Sequence, residues 1–326
     1  MTGQEGQKKV SEVKTFPVPF ALGEKKENIT ITTNTASKPS KEQIINQAFK
    51  FHSQGNISEA VKYYQYFINQ GFKDYRVFSN YGDILKNLGK LKEAEISLLK
   101  AIEIKPDNPA LHYNLGNILS DFGRLDEAEI SLRKAIELKP DYADAHYNLG
   151  IILQDLRKLE EAEISYRKAI ELKPDFADAH SSLGNTLKDL GKLQEAELSY
   201  RKAIELNPNF FQAHLNLGAL LKDIGQSQEA EISTRKVIEL KPDYADAHYN
   251  LGNILRDLGN LQDAEFSYRK AIDLKPDFAD AHYNLGNLLR DLGKLKEARL
   301  CSEKIMSIRS WSILGSYSFN REMKLD

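Results

Sequence analysis

Cysteine is almost missing from this 326-residue chain, Cys301 being the single one, which excludes an intramolecular disulfide and any metal cluster built on thiolates. Long apolar runs are missing too. No stretch approaches the roughly 18 apolar residues of a membrane-spanning helix, and FPVPFAL near the N-terminus, broken by Pro17 and Pro19, is too short for a secretory signal. A cytoplasmic protein without a membrane partner is expected. Neither sign of charge dominates: 45 Lys and Arg against 47 Asp and Glu leave a formal charge of -2, so no long-range attraction to nucleic acid or anionic lipid is implied. A glycine-rich phosphate loop, a metal-ligand cluster and a nucleophile beside its base are likewise absent. Neither an enzyme nor a cofactor is expected.

What the chain does have is repetition. Proline recurs at Pro106, Pro140, Pro174, Pro208, Pro242 and Pro276, a fixed step of 34 residues, and a period of that length with helical content marks a solenoid. In the unit from Ala245 to Phe278, Leu251, Ile254, Leu255 and Leu258 form the apolar stripe of a first helix. Leu261, Ala264, Tyr268, Ala271, Ile272 and Leu274 form that of a second. Gly259 ends the first helix in a left-handed conformation, and Pro276 closes the second. Gly252 lies inside the first helix, where glycine costs roughly 0.5 to 1 kcal/mol; close packing against Ala264 is expected to compensate.

Numbered from Ala245, positions 7, 8, 11, 20, 24 and 27 are small or apolar and position 32 is proline. In this the chain resembles the tetratricopeptide repeat (TPR). The strings NLGN, EAE, YRKAIELKPDF and ADAH are also similar to the repeat arm of O-linked N-acetylglucosamine transferases and to bacterial, cyanobacterial-type TPR proteins. The fold expected is all-α, a right-handed superhelical solenoid of about eight helix-turn-helix repeats, starting at residues 41, 75, 109, 143, 177, 211, 245 and 279. Residues 1–40 are polar, lack apolar periodicity and are expected to form a disordered tail. Residues 311–326, with Trp311, Ile313, Leu314, Tyr317 and Phe319, are expected to cap the open end or to dock elsewhere. The second helix of the last repeat is expected to continue towards Trp311. Arg157 stands where the helix-ending glycine belongs, so either it adopts a left-handed conformation or the turn is rebuilt; Ser227, Thr234 and Val237 replace Leu, Tyr and Ala, so looser packing is expected between Ser227 and Val237.

Six histidines, from His112 to His282, share position 4. Packed helices lie roughly 8 to 10 Å apart whereas each zinc–imidazole bond is about 2 Å, so these histidines are read as packing groups and no metal site is expected. Pairs such as Glu129 and Arg133, or Glu265 and Arg269, sit four apart on the second helix and keep its outer face soluble.

Positions 2, 5, 6, 9, 12 and 13 form a stripe on the first helix that the helix pair leaves free. Position 6 is Asn80, Asn114, Asn148, Asn216, Asn250 and Asn284, interrupted by Ser182. A carboxamide both donates and accepts, so such a row suits a peptide backbone of any sequence. The resemblance to the transferase arm implies that these asparagines line a concave groove and hold an extended chain. Tyr113, Tyr147, Tyr249 and Tyr283 stand beside them at position 5, and Lys188, Lys222, Arg256 and Arg290 at position 12 give part of the stripe positive charge. TPR domains that clamp a C-terminal carboxylate carry basic residues at positions 2 and 5, where this chain has Asp144 and Tyr147, so that use is not expected. A non-catalytic scaffold binding a protein or an extended peptide is the reading. The alternatives are a substrate-recruiting arm of a glycosyl- or sulfotransferase whose catalytic part lies elsewhere, and an RNA-binding repeat, which would need a basic channel.

Overall fold

The computed structural model describes the backbone of residues 14–17, 28–31 and 39–322, and the side chains of residues 39–308. The chain divides into two compact units, Met1–Leu156 and Arg157–Asp326.

In the first unit, strands β1 (Lys14–Pro17) and β2 (Asn28–Ile31) pair antiparallel, Lys14 opposite Ile31 and Pro17 opposite Asn28. β-branched Thr15, Ile29, Thr30 and Ile31 favour the pleated conformation in these two stretches. The rest of 1–38 lies outside the described residues. Seven helices follow, α1 (Lys41–Ser53), α2 (Ile57–Asn69), α3 (Tyr75–Asn87), α4 (Leu91–Ile104), α5 (Pro109–Asp121), α6 (Leu125–Leu138) and α7 (Ala143–Asp155). They pack as consecutive antiparallel pairs, α1 on α2, α3 on α4 and α5 on α6.

The second unit contains α8 (Leu159–Leu172), α9 (Ala177–Asp189), α10 (Leu193–Leu206), α11 (Phe211–Asp223), α12 (Ser227–Leu240), α13 (Ala245–Asp257), α14 (Leu261–Leu274), α15 (Ala279–Asp291) and α16 (Leu295–Glu322). Again α9 packs on α10, α11 on α12, α13 on α14 and α15 on α16. The all-α solenoid of 34-residue helix pairs is therefore what the period predicts. Helix α16 runs past Trp311 to Glu322 as one helix of 28 residues; the side chains read as a cap, Trp311 onward, lie outside the described residues.

The turns follow from the glycines. Gly259 has φ 80°, and the next amide, Asn260 N–H, bonds back to the Leu255 carbonyl at 2.8 Å, satisfying a group the helix end leaves open. Arg157 keeps the same left-handed turn at φ 61°, at a cost of roughly 1 kcal/mol for a residue with a Cβ.

Small residues set the distance between the two helices of a pair. Ala264 is fully buried, yet it is not the contact that compensates Gly252. A Cβ at Gly252 would stand 2.6 Å from the Tyr268 ring, and one at Gly184 would stand 2.6 Å from Tyr200. The glycine makes room for the ring at position 24, because the aromatic plane lies flat on the backbone of the facing helix. In the repeat from Phe211 the core is smaller without being open: Thr234 and Val237 are both buried.

Candidate functional site

The asparagine row is where position 6 predicts it, half-buried on the first helices, but its members are not alike. In the first unit the Asn148 amide donates to Asn117 Oδ1 at 2.7 Å and to Tyr113 Oη at 3.1 Å. In the second unit Asn284 does the same to Asn253 Oδ1 at 2.7 Å and Tyr249 Oη at 3.1 Å, and Asn216 donates to Asn185 Oδ1 at 2.7 Å. Each is a strut from one repeat to the one before. The acceptor is position 9, and its carbonyl takes a second donor from its own repeat, Tyr200 Oη–H on Asn185 and Tyr268 Oη–H on Asn253, both at 2.7 Å. Burial pushes the Tyr268 phenol up to about 12, against the opposing pull of Arg256, which keeps its proton available for that bond.

Position 9 is asparagine at Asn117, Asn185 and Asn253 but Asp83, Ile151 and Ala219 in the repeats between. Asn114 and Asn250 therefore face no carboxamide in the preceding repeat, and among the described residues neither makes a side-chain hydrogen bond. Asn80 is engaged differently, on the Tyr64 hydroxyl. Three ladder amides are spent on stacking and two are available.

The tyrosines divide in the same way. Tyr113 and Tyr249 accept strut bonds, and their rings pack on Tyr142 and Phe278 with centroids 5.0 and 4.9 Å apart. Tyr147 is half-buried and has partners of its own. Tyr283 stands open at 61% exposure. Of the basic row, Lys222 and Arg256 approach the adjacent Asp223 and Asp257 at 4.0 and 3.7 Å, Lys188 is half-buried, and Arg290 is exposed. A cleft of about 240 Å³ on the first-helix face of the first unit is lined by Lys86, Asn117, Asp121, Asn148 and Ile151 among others. Lys86 and Asp121 close across it at 3.3 Å.

The position-4 histidines are structural, as expected, and the structure gives the reason. Each ring Nε2 bonds to the carbonyl of the proline six residues earlier, from His112 on Pro106 at 2.8 Å to His180 on Pro174 at 3.1 Å and His282 on Pro276 at 3.0 Å. The ring ties a first helix to the turn that leads into it. Among the described residues no group of His, Cys, Asp and Glu side chains is placed to hold a metal ion.

Two features of the second helices escaped the sequence reading. The Glu–Arg pairs reach into neighbouring repeats: Arg167 holds Glu163 at 2.9 Å and Glu195 at 2.5 Å, while Lys192 returns to Glu163 at 2.7 Å. Amid these charges position 22 is apolar in every regular repeat, from Ile96 and Ile130 in the first unit to Ile164, Leu198, Ile232, Phe266 and Leu300 in the second, each 55 to 70% exposed or slightly more. The signal was a single apolar residue recurring in a charged stripe, which a two-helix core does not require.

Helix pairs of constant length, joined by the same hydrogen bonds at a 34-residue interval, define a helical-repeat protein. Sequence profiles described as TPR repeat match residues 82–123, 116–156, 184–225 and 252–293, and others described as tetratricopeptide repeat match 143–176, 165–197, 234–266, 211–244 and 279–310. The chain belongs to the tetratricopeptide repeat family. No curated protein matches it. Among solved structures it is similar to YrrB, described as a TPR protein with an unusual peptide-binding site, at 31% identity and a TM-score of 0.51 over 56% of this chain and 95% of that one. It is also similar to MamA residues 41 to the end from Desulfovibrio magneticus RS-1, at 26% identity and a TM-score of 0.50 over 52% and 95% of the two chains. A tetratricopeptide repeat protein from Parabacteroides merdae, 19% identical with a TM-score of 0.56 over 76% and 98%, shares the fold. Such repeats serve as protein-interaction scaffolds. No described helix is long and apolar enough to cross a membrane.

Proposed function

We propose that the first-helix face binds an extended peptide through backbone hydrogen bonds, and that Asn114 and Asn250 are the contacts, in the first and second unit respectively. The observation that carries this reading is the division of the asparagine row: the amides of Asn148 and Asn284 already have both N–H groups engaged, whereas those of Asn114 and Asn250 offer two donors and an acceptor each. In the second unit the mixed row of Lys188, Lys222, Arg256 and the aspartates beside them selects polar rather than apolar side chains on the ligand. The peptide-binding site named in the description of YrrB makes a peptide ligand the natural choice for a chain of this similarity.

The test separates the two kinds of asparagine. Linear peptides are selected from a random displayed library on the immobilised protein, and their affinities are measured for Asn114→Ala/Asn250→Ala and for Asn148→Ala/Asn284→Ala. Each lost bond is worth about 0.5 to 1.5 kcal/mol, so the first pair should weaken binding by roughly tenfold or more without lowering the melting temperature. The second should lower the melting temperature, since it removes the struts. Failure to select any peptide, or equal affinity for wild type and the Asn114/Asn250 variant, overturns the reading.

A further inference from the structure

Among the described residues the strut pattern leaves an acceptor pair in the last repeat and a position-6 donor in the first without partners, and they match each other. At the end of the second unit, Tyr283 and Asn287 repeat the position-5 and position-9 acceptor pair formed by Tyr113 with Asn117 and by Tyr249 with Asn253. Among the described residues no helix turns back onto this pair, since α16 runs on to Glu322. Among the described residues neither Tyr283 nor Asn287 takes a hydrogen bond. A cleft of about 460 Å³ remains there, lined by His282, Tyr283, Gly286, Asn287, Arg290 and residues of α16. At the start of the first unit, Asn46 occupies position 6 of α1 and is exposed, and among the described residues its side-chain amide makes no hydrogen bond. Helix α1 has 13 residues, the same length as α13 and α15, and its start is fixed by a capping box in which Ser40 accepts from the Gln43 amide.

We infer that the chain associates head to tail: α1 of one copy seats on the α15–α16 face of another, with Asn46 donating to Asn287 Oδ1 and Tyr283 Oη of the partner. The contact is heterologous, so each copy retains one open end and association proceeds beyond the dimer. It is weaker than an internal junction for two reasons. Ser40 stands where Tyr142 and Phe278 stack on the preceding tyrosine, and Glu303 and Glu59 fall where internal junctions pair Arg with Glu. Each of these carboxylates already holds a cation of its own copy, Glu303 on Arg299 at 2.9 Å and Glu59 on Lys62 at 2.7 Å, so neutral pairs meet at the outer edge. Reversible association at elevated protein concentration follows.

The heterologous geometry supplies its own test by sedimentation velocity on the full chain. Wild type should show a mean mass that rises with concentration past the dimer. Asn46→Arg blocks the donor end, where Arg290 repels it, and Asn287→Arg fills the cleft; each variant alone should stay monomeric. Mixed in equal amounts, the intact acceptor end of the first and the intact donor end of the second should give a 1:1 dimer and nothing larger. Wild type that stays monomeric, single variants that assemble as wild type does, or a mixture that remains monomeric each overturns the inference. Melting curves confirm that both variants fold; should either not, its alanine counterpart replaces it, with association expected to weaken about tenfold.

Discussion

A methyl group added at Gly252 would lie 2.6 Å from the Tyr268 ring, closer than carbon atoms pack. In an exposed helix, glycine to alanine stabilises by up to about 1 kcal/mol; here Gly252→Ala should destabilise by about 1 to 3 kcal/mol, the usual cost of overpacking. Urea unfolding measures the sign, and any gain in stability shows that the ring yields freely. That glycine was needed is legible from its recurrence, but its partner was not. Positions 20 and 24 lie on the same helical face, and only the depth of the ring separates Ala264 from Tyr268 as the closer neighbour. The asparagine row shows the same limit. Position 6 repeats in plain view, whereas its engagement depends on position 9 of another repeat, and the alternation of Asn117, Asn185 and Asn253 with Ile151 and Ala219 carries meaning once the helices are known to touch there.

Between helices, one of the histidine clamps at the turns, His180, has a shifted pKa. His180 is held below its ordinary value of 6.5, first by burial, with Lys202 adding to the effect and the Pro174 carbonyl and Glu205 opposing it. A depressed pKa means that the unfolded chain takes up the proton at higher pH than the folded one, so this contribution is full above about pH 6.5 and is lost as pH falls through the folded value. His180→Gln keeps a donor for the carbonyl and removes the titration. The stability advantage of wild type over this variant should therefore shrink between about pH 8 and about pH 5; an advantage that is constant or grows on acidification excludes the clamp as a titrating group. The shared position of the histidines was legible. The proline carbonyl was not, because a backbone acceptor leaves no mark in a sequence. Arg157 is the opposite case: its place in the glycine register left a left-handed residue or a rebuilt turn, and φ of 61° is the first of these.

At the scale of the molecule, the period made the helix pairs, their order and the solenoid legible before any coordinate. The apolar row at position 22 was less so, since helical periodicity marks which residues a pair buries and is silent on those it leaves outside. In a repeat protein stability is a sum of repeat and junction contributions, and the struts make the junctions of two kinds. Within the second unit, Asn185 to Asn216 and Asn253 to Asn284 are bonded, while Ala219 faces Asn250 without one. Replacing Ala219 by Asn should supply the missing acceptor and raise stability by about 0.5 to 1.5 kcal/mol, read as a higher denaturation midpoint at unchanged slope; a midpoint at or below that of wild type counts against the strut.

The same substitution would occupy the Asn250 amide and withdraw it from any ligand. If Asn250 holds a ligand as proposed, robustness and recognition compete for a single carboxamide, and the contest is decided one repeat upstream by whether position 9 is Asn or Ala. A protein organised in this way would exchange one property for the other without altering a residue that touches the ligand, and could do so at one junction while leaving the rest as they were.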